Sequence, residues 1–324
     1  MKRLMIYFVY DKDGIVDDYI PYFLQSFKPF CEEICVVVNG LLTNDSKKVL
    51  EENCNTLLMR ENVGFDSGAY KHAIEYYGYE KIRGYDELIL ANFTMFGPIF
   101  SPQEMFEKME KSDCDFWGIT EFPSVDSSFA GVKINRHVQS YFINFKKKIL
   151  NSEDFVEYWQ TLKTVTNYEE AIAFHELRTT SFYESKGYKS DCYVSPEKYT
   201  AKLEHAINKK GYPYFYYTIQ QIKEDRMPFI KRKIFMIKKN CFVWHIEHGA
   251  KYLLDYIKNN TDYDAELVIE NLKRTGLLKV SYLKLYLRFL TLLFCRIFIF
   301  WKKDHYKNKI KLIKILYSFI KEIK

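Results

Sequence analysis

The first 120 residues alternate short apolar runs with segments of helical spacing, and this alternation constrains the fold more than any other feature. Leu4–Tyr10 is almost continuously apolar, Asp17–Phe27 carries apolar residues at helical spacing, and Glu33–Val38 is a second apolar run ended by Asn39-Gly40. Asp45–Asn53 reads as a helix that Thr43 or Asn44 can cap. The same rhythm then predicts a strand over Thr56–Arg60, a helix over Asp66–Tyr77, a strand over Glu87–Asn92, a helix over Pro102–Lys111 and a strand over Phe116–Thr120. Strands alternating with helices of this length imply βαβ units, an α/β fold and a mostly parallel sheet. Ligands of such sheets bind beyond the carboxyl ends of the strands. The loops Asp11–Asp13, Asn62–Asp66 and Asn92–Thr94 are therefore expected to share one cleft.

Further along, Val138–Phe145 and Tyr188–Val194 read as strands, and Glu153–Leu162 and Glu169–Ser185 as helices, the latter ended by Gly187. From about Tyr199 the pattern turns helical and irregular, with a basic, aromatic stretch at Met227–Phe235. These shifts suggest a first domain over 1–195, a helical extension over 196–278 and a tail over 279–324. The net charge of +6 splits at that last boundary. Residues 279–324 hold 12 basic and 2 acidic side chains, a balance of +10, which leaves −4 for everything before them. A slightly acidic body excludes a general nucleic-acid binder, and a basic end points to an anionic surface.

The tail's Leu285–Trp301 stretch is apolar but interrupted by Arg288 and Arg296. Crossing a bilayer takes about 20 apolar residues, and each central Arg costs about 2.5–3.5 kcal/mol. Lys302–Lys324 repeats the same design, with Ile310, Ile313, Leu316 and Ile320 set against Lys307, Lys311 and Lys314. Both stretches read as amphipathic helices lying on an anionic membrane rather than spanning it. At the other end, Met1–Tyr10 is basic then apolar, but Asp11, Asp13, Asp17 and Asp18 follow and no small-residue cleavage site is evident, so it reads as a strand. Seven cysteines, with no Cys-x-x-Cys, read as reduced thiols in a cytoplasmic protein.

Three stretches carry chemistry. The first, Arg60-Glu-Asn62-Val-Gly64-Phe-Asp66-Ser-Gly68, follows a strand and opens a helix. Its glycines permit a tight turn, Asn62 and Asp66 are polar anchors, and a helix N-terminus favours an anion. It is neither a Walker A loop nor a Gly-x-Gly-x-x-Gly fingerprint. The second, Asp86–Pro98, delivers Asn92 and Thr94 from an apolar strand into a Gly-Pro stop. The third is Asp115-Phe-Trp117-Gly-Ile-Thr120, followed by Gln139-Ser-Tyr141-Phe and then by His175-Glu176 ahead of Lys186-Gly-Tyr188. His245 and His248 share a helix face and could ligate a metal, but packing or surface roles are commoner; Tyr214-Phe-Tyr-Tyr217 could line a sugar site but is more often core.

In that order, these motifs resemble the rhamnan synthesis protein F family, over about residues 1–235, and the nucleotide-sugar glycosyltransferases of the GT-A type more broadly. The resemblance implies a GT-A-like domain that transfers L-rhamnose from dTDP-L-rhamnose in bacterial cell-surface polysaccharide synthesis. Alternatives are another donor, such as a UDP-hexose, or a non-catalytic scaffold. It implies nucleotide-sugar binding by Asp11, Asn62, Gly64, Asp66, Asn92 and Thr94, and acceptor binding by Trp117, Gln139 and Tyr141. It also implies Glu176 as the base that removes the acceptor proton, with Glu121 and then Asp115 behind it. Mg²⁺ or Mn²⁺ is the implied cofactor, yet Phe93 stands where many relatives have Asp, and Asn92 and Thr94 are poor substitutes for carboxylates. The diphosphate then needs another cation, such as Arg60, Lys133, Arg136, Arg178 or the Lys231-Arg-Lys233 run. The expected setting is the inner face of the cell membrane, with a lipid-linked oligosaccharide as acceptor.

Overall fold

The first strand and helix of the computed structural model fall where the alternation predicts them: β1 (Arg3–Tyr10) and α1 (Tyr19–Phe27). The structure describes residues 1–197, 199, 213–236 and 244–276. Next come β2 (Glu33–Asn39), α2 (Asn44–Asn53), β3 (Thr56–Arg60), α3 (Phe65–Tyr77) and a short α4 (Tyr79–Arg83). They are followed by β4 (Glu87–Asn92), β5 (Met95–Phe96), α5 (Pro102–Glu110) and β6 (Phe116–Gly118). Thr43 caps α2 by accepting a hydrogen bond from the Ser46 N–H, which settles that cap in its favour over Asn44.

The middle of the chain departs from the predicted run of elements. Four two-residue strands, β7 (Glu121–Phe122), β8 (Ser128–Phe129), β9 (Val132–Lys133) and β10 (His137–Val138), precede β11 (Phe142–Lys146). The single strand expected over Val138–Phe145 is thus broken at Gln139–Tyr141. The crossing chain packs closely on Gly118 of the neighbouring strand, where a Cβ would come within 2.3 Å of Val138 Cγ1 and 2.9 Å of Phe142 O, so only glycine admits this path. After α6 (Lys147–Leu150) and α7 (Glu153–Gln160), the helix expected over Glu169–Ser185 is also broken. It runs as α8 (Tyr168–Ala171), a π-helical turn over Ile172–Glu176 and α9 (Leu177–Ser185). The chain continues through β12 (Ser190–Cys192), α10 (Pro213–Asp225), β13 (Ile230–Lys231), α11 (Lys233–Met236), α12 (Trp244–Asn260) and α13 (Glu266–Arg274).

Seven strands form one mostly parallel sheet in the order β12-β6-β11-β4-β1-β2-β3, with β11 antiparallel to both neighbours. β1 lies at its centre, paired with β2 and β4, and is buried on both faces, which explains its unbroken apolar run. Leu4, Ile6 and Phe8 share a cluster with Ala69, Tyr70, Ala73 and Ile74 of α3 and with Phe155 and Trp159 of α7. On the opposite face Tyr7 stacks on Phe23, with ring centroids 4.6 Å apart, and Phe229 packs on Phe23, Phe27 and Phe142. Much of the aromatic excess is therefore core. Met1–Leu272 form one compact unit, and a second begins at Lys273. Residues 279–324, with the basic amphipathic stretches, lie outside the described residues. Among the described residues no helix is long and apolar enough to cross a membrane. The five described cysteines are free, and burial pushes the thiols of Cys31 and Cys35 up to about 12.

Candidate active site

The parallel strands end together, and their carboxyl ends carry a line of polar residues. Tyr10 is level with Asn39, and Asn39 with Arg60. Asn39 is fully buried at the end of β2 and organises the loop after β3. Its Oδ1 accepts from Arg60 Nη1 at 2.8 Å, and its Nδ2 donates to Phe65 O at 3.3 Å and Asn62 Oδ1 at 3.4 Å. Arg60 also donates to Val63 O at 2.7 Å. Gly64, at the N-cap of α3, has φ +77°, a left-handed conformation that favours glycine. This turn throws Asp66 inward, where its Oδ1 accepts the Ser67 N–H at 2.9 Å and its Oδ2 accepts from Asn92 Nδ2 at 3.1 Å. The structure thus joins the Asn-x-Gly-x-Asp loop to the end of β4. Asn92 Oδ1 in turn accepts from the Thr94 hydroxyl at 2.5 Å and the Thr94 N–H at 3.2 Å.

The break at Gln139–Tyr141 falls at the same edge, since the Asn92 N–H donates to Tyr141 O at 3.2 Å. Gln139 Oε1 accepts from the Thr120 hydroxyl at 2.8 Å, and the Tyr141 hydroxyl lies 2.8 Å from that Thr120 hydroxyl oxygen. Ser140 holds Glu176: its hydroxyl donates to Oε2 at 2.6 Å and its N–H at 3.2 Å. His137 Nε2 lies 3.4 Å from Glu176 Oε1. Glu176 closes the π-helical turn, in which the Leu177 N–H reaches back to Ile172 O. Such turns recur at functional sites. Preceding it, His175 is buried against Tyr70, Tyr158 and Trp159, with Nδ1 3.0 Å from the Tyr158 hydroxyl.

The electrostatics divide the two carboxylates. Burial raises the Asp66 pKa; the charge of His175 and the Ser67 N–H hold it back, while the Glu176 charge adds to the rise. Burial acts on Glu176 too, but the hydrogen bond and charge of His137, the charge of Lys231 and the Ser140 hydroxyl outweigh it and hold this carboxyl well below the usual range. Paired carboxyls pushed in opposite directions are a mark of acid–base sites. Lys231 reaches this group because β13 pairs antiparallel with β5, Lys231 opposite Met95. Its Nζ sits 4.5 Å from the centre of the Tyr141 ring. Burial pushes Lys231 down to about 8 against the pull of Glu176, with Lys233 adding to the fall.

Not every residue picked from the sequence is drawn into this group. Asp115 lies at the opposite, amino end of β6, where Lys148 Nζ and the Lys189 N–H bond it at 3.0 and 2.9 Å. Trp117 is fully buried between Phe106 and Phe142 and faces no cleft. Glu121 is tied to Arg136, which also binds Glu184, so both are engaged with each other. Asp11 closes its own turn by accepting the Asp13 and Ile15 N–H groups at 2.9 and 3.2 Å. Arg178 donates to the Thr161 hydroxyl at 2.6 Å and lies over the rings of Tyr158 and Phe182. The side chains of Tyr214–Tyr217, His245 and His248 lie outside the described residues. Conversely, Asn39 and His137 were not singled out from the sequence. Asn39 was visible only as the end of an apolar run, and His137 gave no local signal.

The donor set at the end of β4 does not fit a divalent cation. Both ends of the Asn92 carboxamide and the Thr94 hydroxyl are engaged with each other or with Asp66. Phe93 packs edge-on against Phe8, with ring centroids 5.6 Å apart. Among the described residues no group of three or more His, Cys, Asp or Glu side chains could hold a metal.

Residues 34–292 match the family model described as rhamnan synthesis protein F. The chain is 23% identical over 196 residues to the uncharacterized protein y4gN of Sinorhizobium fredii, covering 60% of this chain and 50% of that one. It therefore spans about half the length of this curated relative. Among solved structures it is similar to a cytidylyltransferase of Leptospira borgpetersenii, with 10% identity and a TM-score of 0.34 over 70% of this chain and 96% of that one. It is also similar to the 4-diphosphocytidyl-2C-methyl-D-erythritol synthase of Anaerococcus prevotii, with 13% identity and a TM-score of 0.36 over 60% of this chain and 88% of that one.

Proposed function

Since the chain belongs to the rhamnan synthesis protein F family, we propose that it is an inverting glycosyltransferase that moves L-rhamnose from dTDP-L-rhamnose to a lipid-linked oligosaccharide in cell-surface polysaccharide synthesis. One observation carries the reading: at the carboxyl edge of the sheet Glu176 is held ionised by Ser140 and His137, beside the Asp66–Asn92–Thr94 line. In this reading Asn62, Gly64 and Asp66 receive the nucleoside end of the donor, and Asn92 and Thr94 its sugar side. Gln139 and Tyr141 line the acceptor side, and Glu176 is the base. A carboxylate with so low a pKa is a weak proton acceptor in the ground state. It suits a late transfer, in which the hydroxyl becomes acidic only as its oxygen bonds to the anomeric carbon. The basic stretches of residues 279–324 would bring the protein to the anionic inner face of the cell membrane, where a lipid-linked acceptor resides.

The test is a panel of nucleotide sugars assayed for binding by thermal shift and for transfer with wild type and Glu176→Gln. The expected result is preference for dTDP-L-rhamnose and loss of transfer in the variant with binding retained. Preference for a UDP-hexose would move the donor assignment, and unchanged transfer in the variant would remove Glu176 as base. Failure of every nucleotide sugar to bind would leave the scaffold reading, which Phe93 in place of a carboxylate favours. Flotation with anionic and neutral liposomes, comparing the full chain with a chain ending at Gly276, tests the membrane assignment; equal flotation of the two would sink it.

A further inference from the structure

We propose that Lys231 and Arg232 take the place of a divalent cation in this protein and receive the diphosphate of the donor at the carboxyl end of β4. The proposal rests on the reading of this edge as a nucleotide-sugar site.

The first support is placement. Besides the β13–β5 pairing, the Arg232 N–H donates to Thr94 O at 2.9 Å and the Ile99 N–H to Pro228 O at 2.8 Å. The segment is stitched along the stretch that follows Asn92, so both cations are fixed at this edge.

The second support is their surroundings. Several arginines of this protein bind carboxylates: Arg3 binds Glu87 and Glu110, Arg83 binds Glu80 and Glu153, Arg136 binds Glu121 and Glu184, and Arg226 binds Glu104. Arg232 instead lies among aromatic rings, its guanidinium carbon 5.4 Å from the Phe93 centroid, 5.7 Å from Tyr19 and 6.0 Å from Phe96. Nη1 donates to the Tyr19 hydroxyl at 3.2 Å, and Nε is buried with no hydrogen-bond partner among the described residues. A guanidinium on aromatic faces keeps its charge and its spare donors, as an arginine awaiting an anion must. Lys231 Nζ lies 4.5 Å from the centre of the Tyr141 ring, within the field of Glu176.

The third support links the first two. Phe93 occupies the position of the expected metal-binding carboxylate, and its ring is one of those on which Arg232 rests. One residue both removes a metal ligand and supplies a platform for the cation.

In the transfer, the acceptor oxygen bonds to the anomeric carbon. The bond from that carbon to the distal phosphate oxygen breaks, and its electron pair leaves with the nucleoside diphosphate. The hydroxyl proton passes to Glu176. The charge growing on the departing phosphate, which a metal ion neutralises in metal-dependent enzymes, meets the ammonium and guanidinium instead.

The experiment is calorimetric titration of the full-length protein with dTDP and UDP, and with dTMP and UMP, first in EDTA and then in excess Mg²⁺. It is run on wild type, Lys231→Met and Arg232→Gln, with Lys231→Gln as a second variant should Lys231→Met fold poorly. The expected result is diphosphate binding in EDTA that Mg²⁺ changes by less than about twofold. Loss of either cation should weaken the diphosphate about tenfold or more, as befits a lost charge-assisted contact, and barely affect the monophosphate. Diphosphate binding that appears only with Mg²⁺ would overturn the proposal and leave the nucleotide-sugar reading standing. Equal weakening of mono- and diphosphate in the variants would overturn it as well, by making the two cations merely structural. No binding of any nucleotide in either condition would overturn both.

Discussion

The two edges of the central sheet use the same kinds of charged residue in different ways. At the amino edge the charges are saturated. Arg3 and Glu87, both buried, meet at 2.5 Å, and Asn144 donates to the same carboxylate at 3.1 Å. Glu33 accepts the hydroxyls of Tyr77 and Tyr85, each at 2.6 Å, together with Lys81 at 3.1 Å. Asp115 belongs to this edge, between Lys148 and Lys189. At the carboxyl edge both signs meet in one group: Glu176 is held by His137, Ser140 and the charge of Lys231, Asp66 feels the charges of His175 and Glu176, and Arg232 lies over aromatic rings. Removing one partner from a saturated buried pair strands a charge and costs stability. In the reading proposed above, charge at the amino edge serves the fold alone, and the cations of the carboxyl edge serve a ligand as well.

The largest expected effect separates the edges directly. Glu176→Gln should lower transfer by about 10²–10⁴-fold, the usual worth of a general base, with some loss of melting temperature as well, because His137, Lys231 and Ser140 hold this carboxylate below its usual range in the folded protein. Initial rates per folded molecule and circular-dichroism melts check this, and an unchanged rate would erase the contrast. Glu87→Gln should behave in the opposite way. Urea unfolding should show a loss of about 3–5 kcal/mol, at the lower end because Glu110 still pairs with Arg3, with dTDP affinity of the folded protein unchanged. Gly118→Ala tests whether the two functions meet in the crossing chain. The added methyl should cost about 1–3 kcal/mol by overpacking and also weaken transfer, because Val138 and Phe142 flank the Gln139–Tyr141 break. Rates per folded molecule and urea curves separate the two effects.

The smallest effects are in pH. Burial would raise the Glu33 pKa, but Tyr77, Tyr85 and Lys81 bring it below its ordinary value. Its contribution is therefore complete above the unfolded value of about 4.3 and fades as pH falls through the folded one. Glu33→Gln should flatten that part of the acid-unfolding curve. At the other edge, the ammonium of Lys231 is lost as pH rises through about 8. The titratable groups that act on it are Glu176 and Lys233, with Tyr141 beneath it. Diphosphate affinity should decline across that interval, and Lys231→Met should remove the decline in calorimetry run at several pH values.

Where the structural cause is local, the sequence could be read closely. Thr56–Arg60 and Glu87–Asn92 lie where their apolar runs place them, and α2 begins at a threonine cap. The breaks at Gln139–Tyr141 and Ile172–Glu176 leave no mark in the local periodicity. The first packs against Gly118 of the neighbouring strand. The second sits where Glu176 meets Ser140 and His137, which are distant in sequence. The roles of His137 and Asn39 are likewise absent from the local sequence, since they exist only once remote segments meet.

By itself, then, the sequence determined the α/β class and the strands at the centre of the sheet, because alternation and strand direction follow from local periodicity. It also determined that Asn62, Asp66, Asn92 and Glu176 belong to ordered motifs. Only the tertiary structure decided which charges are spent and which are kept. Asp115 and Lys231 look alike in a sequence, each a charge in a short run of like charge beside apolar residues. Packing closes the first between two lysines and sets the second over a tyrosine ring beside Glu176. The energy of a charge depends on its neighbours in space and on the water they exclude, and periodicity along the chain carries no record of either.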